Sequence, residues 1–321
     1  MMTATRPPRH TLRIGTRGSP LALVQAREVA AGLQRLSNGE VTGEVVTFKT
    51  GGDKLTTERL VNAGGKGLFT REIDAAVDDG RCDIGVHSLK DVPSVLPDGQ
   101  ALIAYPQRED PRDGFITTTG LKSPKDLPEG ATVGTASLRR ESQTLALRPD
   151  MKIVTFRGNV QTRLRKLNEG LADATYLAMA GLHRLDMAHV AAPISVEDMI
   201  PAAGQGIISI AARPDDMDDD LLKLIAGLDH AQTRHAAMAE RAFLVELDGS
   251  CRTSMAGHAR LEDGVWKFSG EVLAPDGSQR WVQHGTAQSD ASLDELASLG
   301  RSAGKRIREA AGGELPAFDD V

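Results

Sequence analysis

Aromatic side chains are scarce in this sequence: tryptophan, tyrosine and phenylalanine make up 3% of its 321 residues. Surfaces that bind nucleic acids usually combine a basic domain with exposed aromatic rings on which bases stack. The composition therefore argues against a nucleic acid as partner. Cysteine is rarer still, with only Cys82 and Cys251, which lie far apart and show no CxxC or histidine-rich spacing. We expect free thiols, no disulfide framework and no metal site.

Long hydrophobic runs are also missing. No stretch reaches the roughly 18 uninterrupted apolar residues that a membrane span needs. Residues 1–13 contain charges and prolines where a signal peptide would have an apolar segment. We therefore expect a cytoplasmic protein that does not bind a membrane.

The charge is unevenly distributed. The chain has a net charge of −6, yet Thr132 to Leu185 contains nine Lys or Arg against four Asp or Glu, so this block is +5 and the remainder −11. A basic block inside an acidic chain predicts a local site for anions. The length and the 40% hydrophobic content predict a globular protein of two or three domains.

Strand and helix patterns alternate along the chain, which favours α/β domains with mainly parallel sheets. A strand at 11–16 precedes a helix that Ser19 and Pro20 begin, and a strand at 132–135 precedes a similar helix after Ser137. Further predicted elements are a helix over 68–77, a strand over 83–86 and a helix over 233–246. Segments 105–112 and 201–206 contain proline, glycine or charge and look like two crossings between domains. We predict domain 1 at 11–106 and 207–226, domain 2 at 112–200, and a smaller α+β domain 3 at 229–321.

Three stretches contain residue types suited to chemistry. The sequence HSLKDVP, residues 87–93, follows a predicted buried strand, where α/β proteins place functional groups; the alternative is a capped turn. Arginines from 139 to 184 could bind several carboxylates, or could form a solvated helix face. Cys251 lies in a loop beside Arg252, which favours a reactive thiolate, although a lone cysteine is often a bystander. Gly64 to Gly67 lacks the spacing of a phosphate loop and suggests a flexible lid with Lys66.

An ordered set of phrases resembles the porphobilinogen deaminase family. The phrases are TRGSPLAL at 16–23, GGKGLF at 64–69, HSLKDVP at 87–93, REDPRD at 108–113, VGTASLRR at 133–140, RGNVQTR at 157–163, AGLHRL at 180–185, GQG at 204–206 and DGSC at 248–251. The resemblance implies two α/β domains like the lobes of a periplasmic binding protein around a hinged cleft, with a smaller C-terminal α+β domain. It also implies a monomeric transferase of tetrapyrrole biosynthesis. Such an enzyme joins four porphobilinogens head to tail with loss of ammonia and releases hydroxymethylbilane.

The same resemblance implies roles for single residues. Asp91 matches the catalytic aspartate, which stabilises the cation formed on deamination, and Cys251 matches the cysteine that carries a dipyrromethane cofactor through a thioether. The residues expected to hold the carboxylates of cofactor and growing chain, or to supply further contacts, are Arg17, Ser19, Ser88, Lys90, Ser137, Arg139, Arg140, Arg157, Arg163, Arg184 and Gln205.

Two other functions fit parts of the sequence. A two-lobed binding protein would bind small polyanions without reacting, and a covalently attached chromophore would exclude it. A nucleic-acid-binding protein using residues 139–166 would show steep salt dependence of binding.

Overall fold

The computed structural model describes residues 10–54, 67–247 and 253–318. Within these ranges the chain forms two five-stranded sheets, each with helices, and a three-stranded C-terminal sheet. No described helix is long and apolar enough to cross a bilayer. The expected α/β class, with two such units and a smaller C-terminal α+β unit, is confirmed.

The first sheet has the strand order β2-β1-β3-β10-β4. Its strands and the helices that accompany it are β1 (His10–Arg17), α1 (Pro20–Leu36), β2 (Val41–Phe48), α2 (Gly51–Lys54), α3 (Arg71–Asp78), β3 (Ile84–Ser88), β4 (Ala101–Ala104), β10 (Ile208–Ala212) and α7 (Asp219–Ala226). Leu12 and Ile14 of β1 are fully buried and pack with Ala26, Val29 and Leu33 of α1. This regular apolar spacing, with Ser19 and Pro20 at the helix start, produces the unit that the sequence predicts.

The second sheet repeats this order as β7-β6-β8-β5-β9. Its elements are β5 (Asp113–Thr117), β6 (Thr132–Gly134), α4 (Leu138–Leu147), β7 (Lys152–Val154), α5 (Val160–Asn168), β8 (Ala174–Ala178), α6 (Met179–Arg184) and β9 (Ala192–Pro193). β1 and β6 occupy corresponding positions in the two sheets, since β1 lies between β2 and β3 as β6 lies between β7 and β8. The similar phrases around Ser19 and Ser137 therefore occupy corresponding positions.

The prediction of mainly parallel sheets is confirmed, but each sheet contains one antiparallel strand. β10 runs antiparallel to both β3 and β4, and β5 runs antiparallel to β8 and β9. These are the strands that follow the two crossings, at 105–112 and 201–206. Each is reached by a direct connection from the other sheet instead of a helical crossover, so it can enter from the opposite end.

The C-terminal unit packs two helices against an antiparallel meander. Its elements are α8 (Ala231–Glu246), β11 (Ser254–Glu262), β12 (Val265–Leu273), β13 (Arg280–Gln288) and α9 (Leu293–Ala310). Gly300 of α9 lies so close to α8 that a Cβ there would be 2.0 Å from the carbonyl oxygen of Ala239. Only glycine permits this close contact between the two helices. Phe243 of α8 and Phe268 of β12 lie in the hydrophobic core of this unit.

Element boundaries differ modestly from the sequence predictions. The helix expected over 68–77 begins at Arg71, the strand expected over 83–86 extends to Ser88, and the helix expected from 233 begins at Ala231. Cys82 is buried, and burial raises the pKa of its thiol to about 11. Such a thiol stays protonated and unreactive at neutral pH.

Candidate active site

Asp91 ends a single 3₁₀ turn, Leu89–Asp91, that directly follows β3. The turn is anchored because Leu89 is buried and its N–H donates to the carbonyl of Ile207 at 2.9 Å. Gly204 adopts φ +76°, and a Cβ there would be 2.9 Å from the backbone nitrogen of Lys90. The second crossing thus fixes the turn, while the Asp91 side chain keeps 27% of its surface open to solvent.

Arg17 lies next to Asp91, but other groups hold it. Its guanidinium is 3.9 Å from an Asp91 oxygen, yet only 2.5 Å from an oxygen of Asp53, and it stacks 4.4 Å from the ring centre of Phe69. Burial alone would raise the pKa of Asp53, but the hydrogen bond and charge of Arg17 outweigh it and lower that pKa. Arg17 is therefore oriented without using the Asp91 carboxylate. Asp53 and Phe69 are site residues that the sequence did not predict.

Lys90 points toward the second sheet, where its ammonium donates to the side-chain oxygen of Gln205 at 3.3 Å. Taken over the whole residue, Lys90 is exposed to solvent. Nevertheless the surrounding protein desolvates the ammonium, and this is the main reason that the pKa of Lys90 falls to about 8; Asp91 and Asp113 offset it only partly. Lys90 can therefore exchange a proton near neutral pH.

Arg139 and Arg140 are buried on the first turn of α4, and both bind the carboxylate of Asp113. The nearest contacts are 2.7 Å from Arg139 and 2.6 Å from Arg140. Burial by itself raises the pKa of Asp113, but the two arginines reverse this and hold the pKa well below its usual range. Asp113 lies within the REDPRD phrase, and an acid at the first position of a strand was the signal that could have revealed it.

Arg157 and Arg163 are two further arginines that the sequence predicts for the site. Arg157 is buried, and Arg163 of α5 is half-buried, with its Nε donating to the carbonyl of Gly158 at 3.0 Å. Burial lowers the pKa of Arg163 to about 10, and the charges of Arg140 and Arg157 add to this effect. The alternative of a solvated helix face is therefore wrong for Arg139, Arg140 and Arg157.

Arg184, at the end of α6, connects the two α/β units. Its Nε donates to Glu28 of α1 at 3.2 Å, and its terminal nitrogens lie 3.3 and 3.4 Å from the carbonyl oxygen of Gly206. Only 7% of its side chain is exposed. In this arrangement Arg184 holds the first unit to the second.

The predicted serines stabilise the backbone around the site. Ser19 and Ser137 begin α1 and α4, where each side-chain oxygen accepts a backbone N–H of the first turn, at 3.3 and 3.5 Å. Ser88 exchanges hydrogen bonds with Gln25 of α1 and does not cap the 3₁₀ turn. The alternative of a simple capped turn is therefore wrong for Ser88.

Two predicted residues, Cys251 and Lys66, lie outside the residues that the structure describes. A cavity of about 600 Å³ lies elsewhere, between residues 196–200 and the C-terminal sheet. Its cations Arg260, Lys267 and Arg280 are each paired with a glutamate, and none of the predicted site residues that the structure describes lines it. The structure thus brings together Asp91, Arg17, Lys90, Gln205 and the α4 arginines, and keeps this group apart from the cavity.

Comparison with known proteins identifies the family. A family model described as "Porphobilinogen deaminase, dipyromethane cofactor binding domain" matches residues 12–220, and one described as "Porphobilinogen deaminase, C-terminal domain" matches residues 235–309. The chloroplastic porphobilinogen deaminase of Oryza sativa subsp. japonica is 48% identical over 96% of this chain and 86% of its own length. The porphobilinogen deaminase of Nitrobacter winogradskyi is 47% identical over 93% of each chain.

Solved structures give a weaker similarity. A TRAP periplasmic solute binding protein from Desulfovibrio salexigens has a TM-score of 0.44 at 13% identity, over 70% of this chain and 74% of its own. One from Roseobacter denitrificans with bound β-D-glucuronate has a TM-score of 0.41 at 13% identity, over 69% and 78%. The family models and the relatives cover most of the sequence in their own right, and by them the chain belongs to the porphobilinogen deaminase family.

Proposed function

We propose that Asp91 is the catalytic carboxylate with which this chain performs the reaction of its family. Porphobilinogen deaminases are transferases that build hydroxymethylbilane for tetrapyrrole biosynthesis. The single observation that carries the proposal is the placement of Asp91: a fixed turn presents a solvent-accessible carboxylate beside Arg17 and Lys90. Loss of ammonia from porphobilinogen leaves a cation, and a fixed carboxylate stabilises such a charge without reorganising.

The cations around Asp91 suit a polycarboxylate ligand. Each pyrrole ring carries an acetate and a propionate, so a chain of rings accumulates negative charge. Burial is the main cause of the lowered pKa of Arg163, and the positive charges of Arg140 and Arg157 add to it. Nε of Arg139 is buried without a hydrogen-bond partner among the described residues. Further carboxylates would relieve this excess of positive charge.

The same donors fit the cofactor of this family, which is dipyrromethane. We propose that Cys251 attaches it through a thioether, and that Ser137, Arg139, Arg140, Arg157 and Arg163 hold its carboxylates. When bound, this group supplies the pyrrole to which the first substrate unit is joined. The protein's part is to neutralise carboxylates, to orient rings relative to Asp91 and to exchange protons at Asp91 and Lys90.

We propose further contacts for the growing chain from Arg17, Ser19, Ser88, Arg184 and Gln205, with Lys66 on a lid. We also propose the domain ranges 11–106 with 207–226, 112–200, and 229–321. In support of these ranges, β4 ends at Ala104 and β5 begins at Asp113 in another sheet. The cytoplasmic location, the monomeric state and the absence of nucleic-acid and membrane partners stay predictions.

The intact mass of the purified protein tests the proposal most directly. We expect an excess equal to two porphobilinogen units less two ammonias, which peptide mapping places on Cys251. An unmodified protein should gain this mass on incubation with porphobilinogen and then release hydroxymethylbilane. A protein that binds porphobilinogen but gains no mass and releases no product would instead be a binding protein.

A further inference from the structure

Five hydrogen bonds from three described residues of the site converge on the carboxylate of Asp113. Its carboxylate is fully buried at the start of β5. It accepts two hydrogen bonds from Arg139, at 2.7 and 3.1 Å, and two from Arg140, at 2.9 and 2.6 Å. Each guanidinium is thus bound through two nitrogens, which fixes its plane as well as its position.

A fifth hydrogen bond extends this arrangement toward the catalytic turn. The side-chain nitrogen of Gln205 donates to Asp113 at 3.2 Å and to the carbonyl of Pro111 at 2.8 Å, while its oxygen accepts from Lys90 at 3.3 Å. The amide can face only one way, because a reversed amide would place its oxygen against the carboxylate and its NH₂ against the ammonium. Lys90 is adjacent to Asp91, so the carboxylate is connected to the catalytic turn by one side chain.

Among the described residues, Asp113 is the only charged partner that orients Arg139 and Arg140. Arg139 also donates to the side-chain oxygen of Gln143 and to the carbonyl of Ile200, and Arg140 to the carbonyl of Tyr176. These partners are neutral and accept single bonds from one nitrogen of each guanidinium. Without Asp113, two buried guanidinium groups on one helical turn would repel each other and lose the bidentate contacts that orient them.

We propose that Asp113 is a positioning residue: its buried carboxylate orients Arg139 and Arg140 for the carboxylates of the pyrrole chain and, through Gln205, orients Lys90 beside Asp91. The proposal rests on the roles given above to the arginines and Lys90. Asp113 itself does not touch the reacting atoms. It organises cationic groups that come from both α/β units.

The test measures KM and kcat for porphobilinogen, the fraction of protein with the covalent cofactor by mass, and the melting temperature. Asp113→Asn should raise KM at least tenfold with a smaller fall in kcat, and should reduce the loaded fraction, because guanidinium orientation is lost. Asp150→Asn is the matched control. Asp150 binds Arg148, just after the other end of α4, so this variant removes an arginine–carboxylate pair without touching the site.

A double-mutant cycle separates positioning from general stability. Gln205→Met keeps the side-chain length and removes the connection to Lys90. If Asp113 acts through Gln205, the fold increase in KM of the double variant should be well below the product of the fold increases of the two single variants. If the fold increases in KM of the two single variants instead multiply in the double variant, the proposed connection from Asp113 through Gln205 to Lys90 is overturned.

Asp113→Glu keeps the charge but moves the carboxylate by one methylene, and it gives a second readout should Asp113→Asn not fold. Positioning requires a raised KM in this variant too; a KM equal to that of the unchanged protein would reduce Asp113 to charge compensation and overturn the proposal. The activity of the unchanged protein tests the proposed function separately from the role of Asp113. If it does not turn over porphobilinogen, the proposed function fails, whereas an active protein with insensitive Asp113 variants rejects only the role of Asp113.

Discussion

At the residue scale, the second crossing fixes the backbone of Asp91, whereas among the described residues its carboxylate has only a 3.9 Å ion-pair contact, with Arg17. We expect Asp91→Asn to lower the rate of porphobilinogen consumption by roughly 10²- to 10⁴-fold, the range that a fixed acid–base and electrostatic group supplies. The melting temperature should change little, since no strong ion pair with another described residue is lost. Steady-state kinetics and thermal unfolding measure both quantities.

Asp98→Asn provides the control for this variant. Asp98 is an exposed carboxylate a few residues further along the same loop. It should leave rate and melting temperature unchanged. Activity of Asp91→Asn within tenfold of the unchanged protein would contradict the catalytic role.

We expect Arg163 to lower the free energy of unfolding, while its guanidinium helps to bind the pyrrole chain. Burial is the main reason that its pKa falls to about 10, and the charges of Arg140 and Arg157 add to the effect. Arg163→Met should raise the free energy of unfolding by about 1 kcal/mol, a value reduced from the full pKa shift because partial exposure screens the repulsion. The same variant should accumulate incomplete chains, visible as enzyme-bound intermediates by mass. A less stable variant with normal elongation would be inconsistent with this reading.

At the residue scale, local sequence predicted positions better than partners. A polar phrase after an apolar strand placed Asp91 and Lys90 correctly at a strand end. The partners of these residues lie far along the chain, as Gln205 does from Lys90 and Asp113 does from Arg139. Only the packing of the two sheets brings them together, so a run of basic residues looked equally suited to a solvated face.

At the scale of elements, helix α3 places a buried carboxyl group beside a buried histidine of strand β3. Asp74 of α3 and His87 of β3 are both buried, with 3.6 Å between a carboxylate oxygen and Nε2. Burial is the main cause of two opposite shifts: it raises the pKa of Asp74 to about 6 and lowers the pKa of His87 to about 4. Both side chains are therefore favoured in their neutral forms.

These shifts have opposite effects on stability as pH changes. The folded pKa of His87 lies below its ordinary 6.5, so the unfolded chain takes up the proton first and stability falls as pH drops from about 6.5 to 4. The folded pKa of Asp74 lies above its ordinary 3.8, so the folded chain takes up the proton first and stability rises as pH drops from about 6 to 4. Asp74→Asn should leave only the first effect, and acidification from pH 6.5 to 4 should then cost about 2 kcal/mol more than in the unchanged protein.

Urea unfolding at several pH values measures this difference. Asp79→Asn, which changes an exposed acid just beyond α3, should follow the profile of the unchanged protein. Parallel profiles for Asp74→Asn and the unchanged protein would show that the two groups do not titrate as described.

The sequence predicted elements more reliably than the way they pair. The apolar spacing and the caps at Ser19 and Ser137 located α1 and α4, and the buried runs located β1 and β3. The antiparallel entry of β5 and β10 was not predictable in the same way. It depends on which end of a sheet a crossing reaches, and this is decided by contacts between segments about a hundred residues apart, such as Ile210 with Val86.

At the scale of the whole molecule, Glu240 of α8 holds the two crossings to the C-terminal unit. It is fully buried and binds Arg108 of the first crossing at 2.6 Å and the backbone N–H of Gly204 in the second at 2.6 Å. It also accepts the N–H of Ala259 in β11 at 2.8 Å. Burial would raise the pKa of Glu240, but the charge of Arg108 and the contact with His258 reverse this and lower it to about 2.

Glu240→Gln should therefore destabilise the protein most at neutral pH. Removing one partner of a buried ion pair costs about 3–5 kcal/mol, because the charge of Arg108 remains buried without compensation. In the unchanged protein the contribution of Glu240 is present above its ordinary pKa of 4.5 and is lost as pH falls toward about 2. The unfolding free energies of variant and unchanged protein should thus converge in acid. Glu262→Gln removes an exposed ion pair with Lys267 in the same unit, and it should change the free energy of unfolding little at any pH. A gap for Glu240→Gln that stays constant from pH 7 to 2 would mean that the charge of Glu240 does not hold the crossings in place.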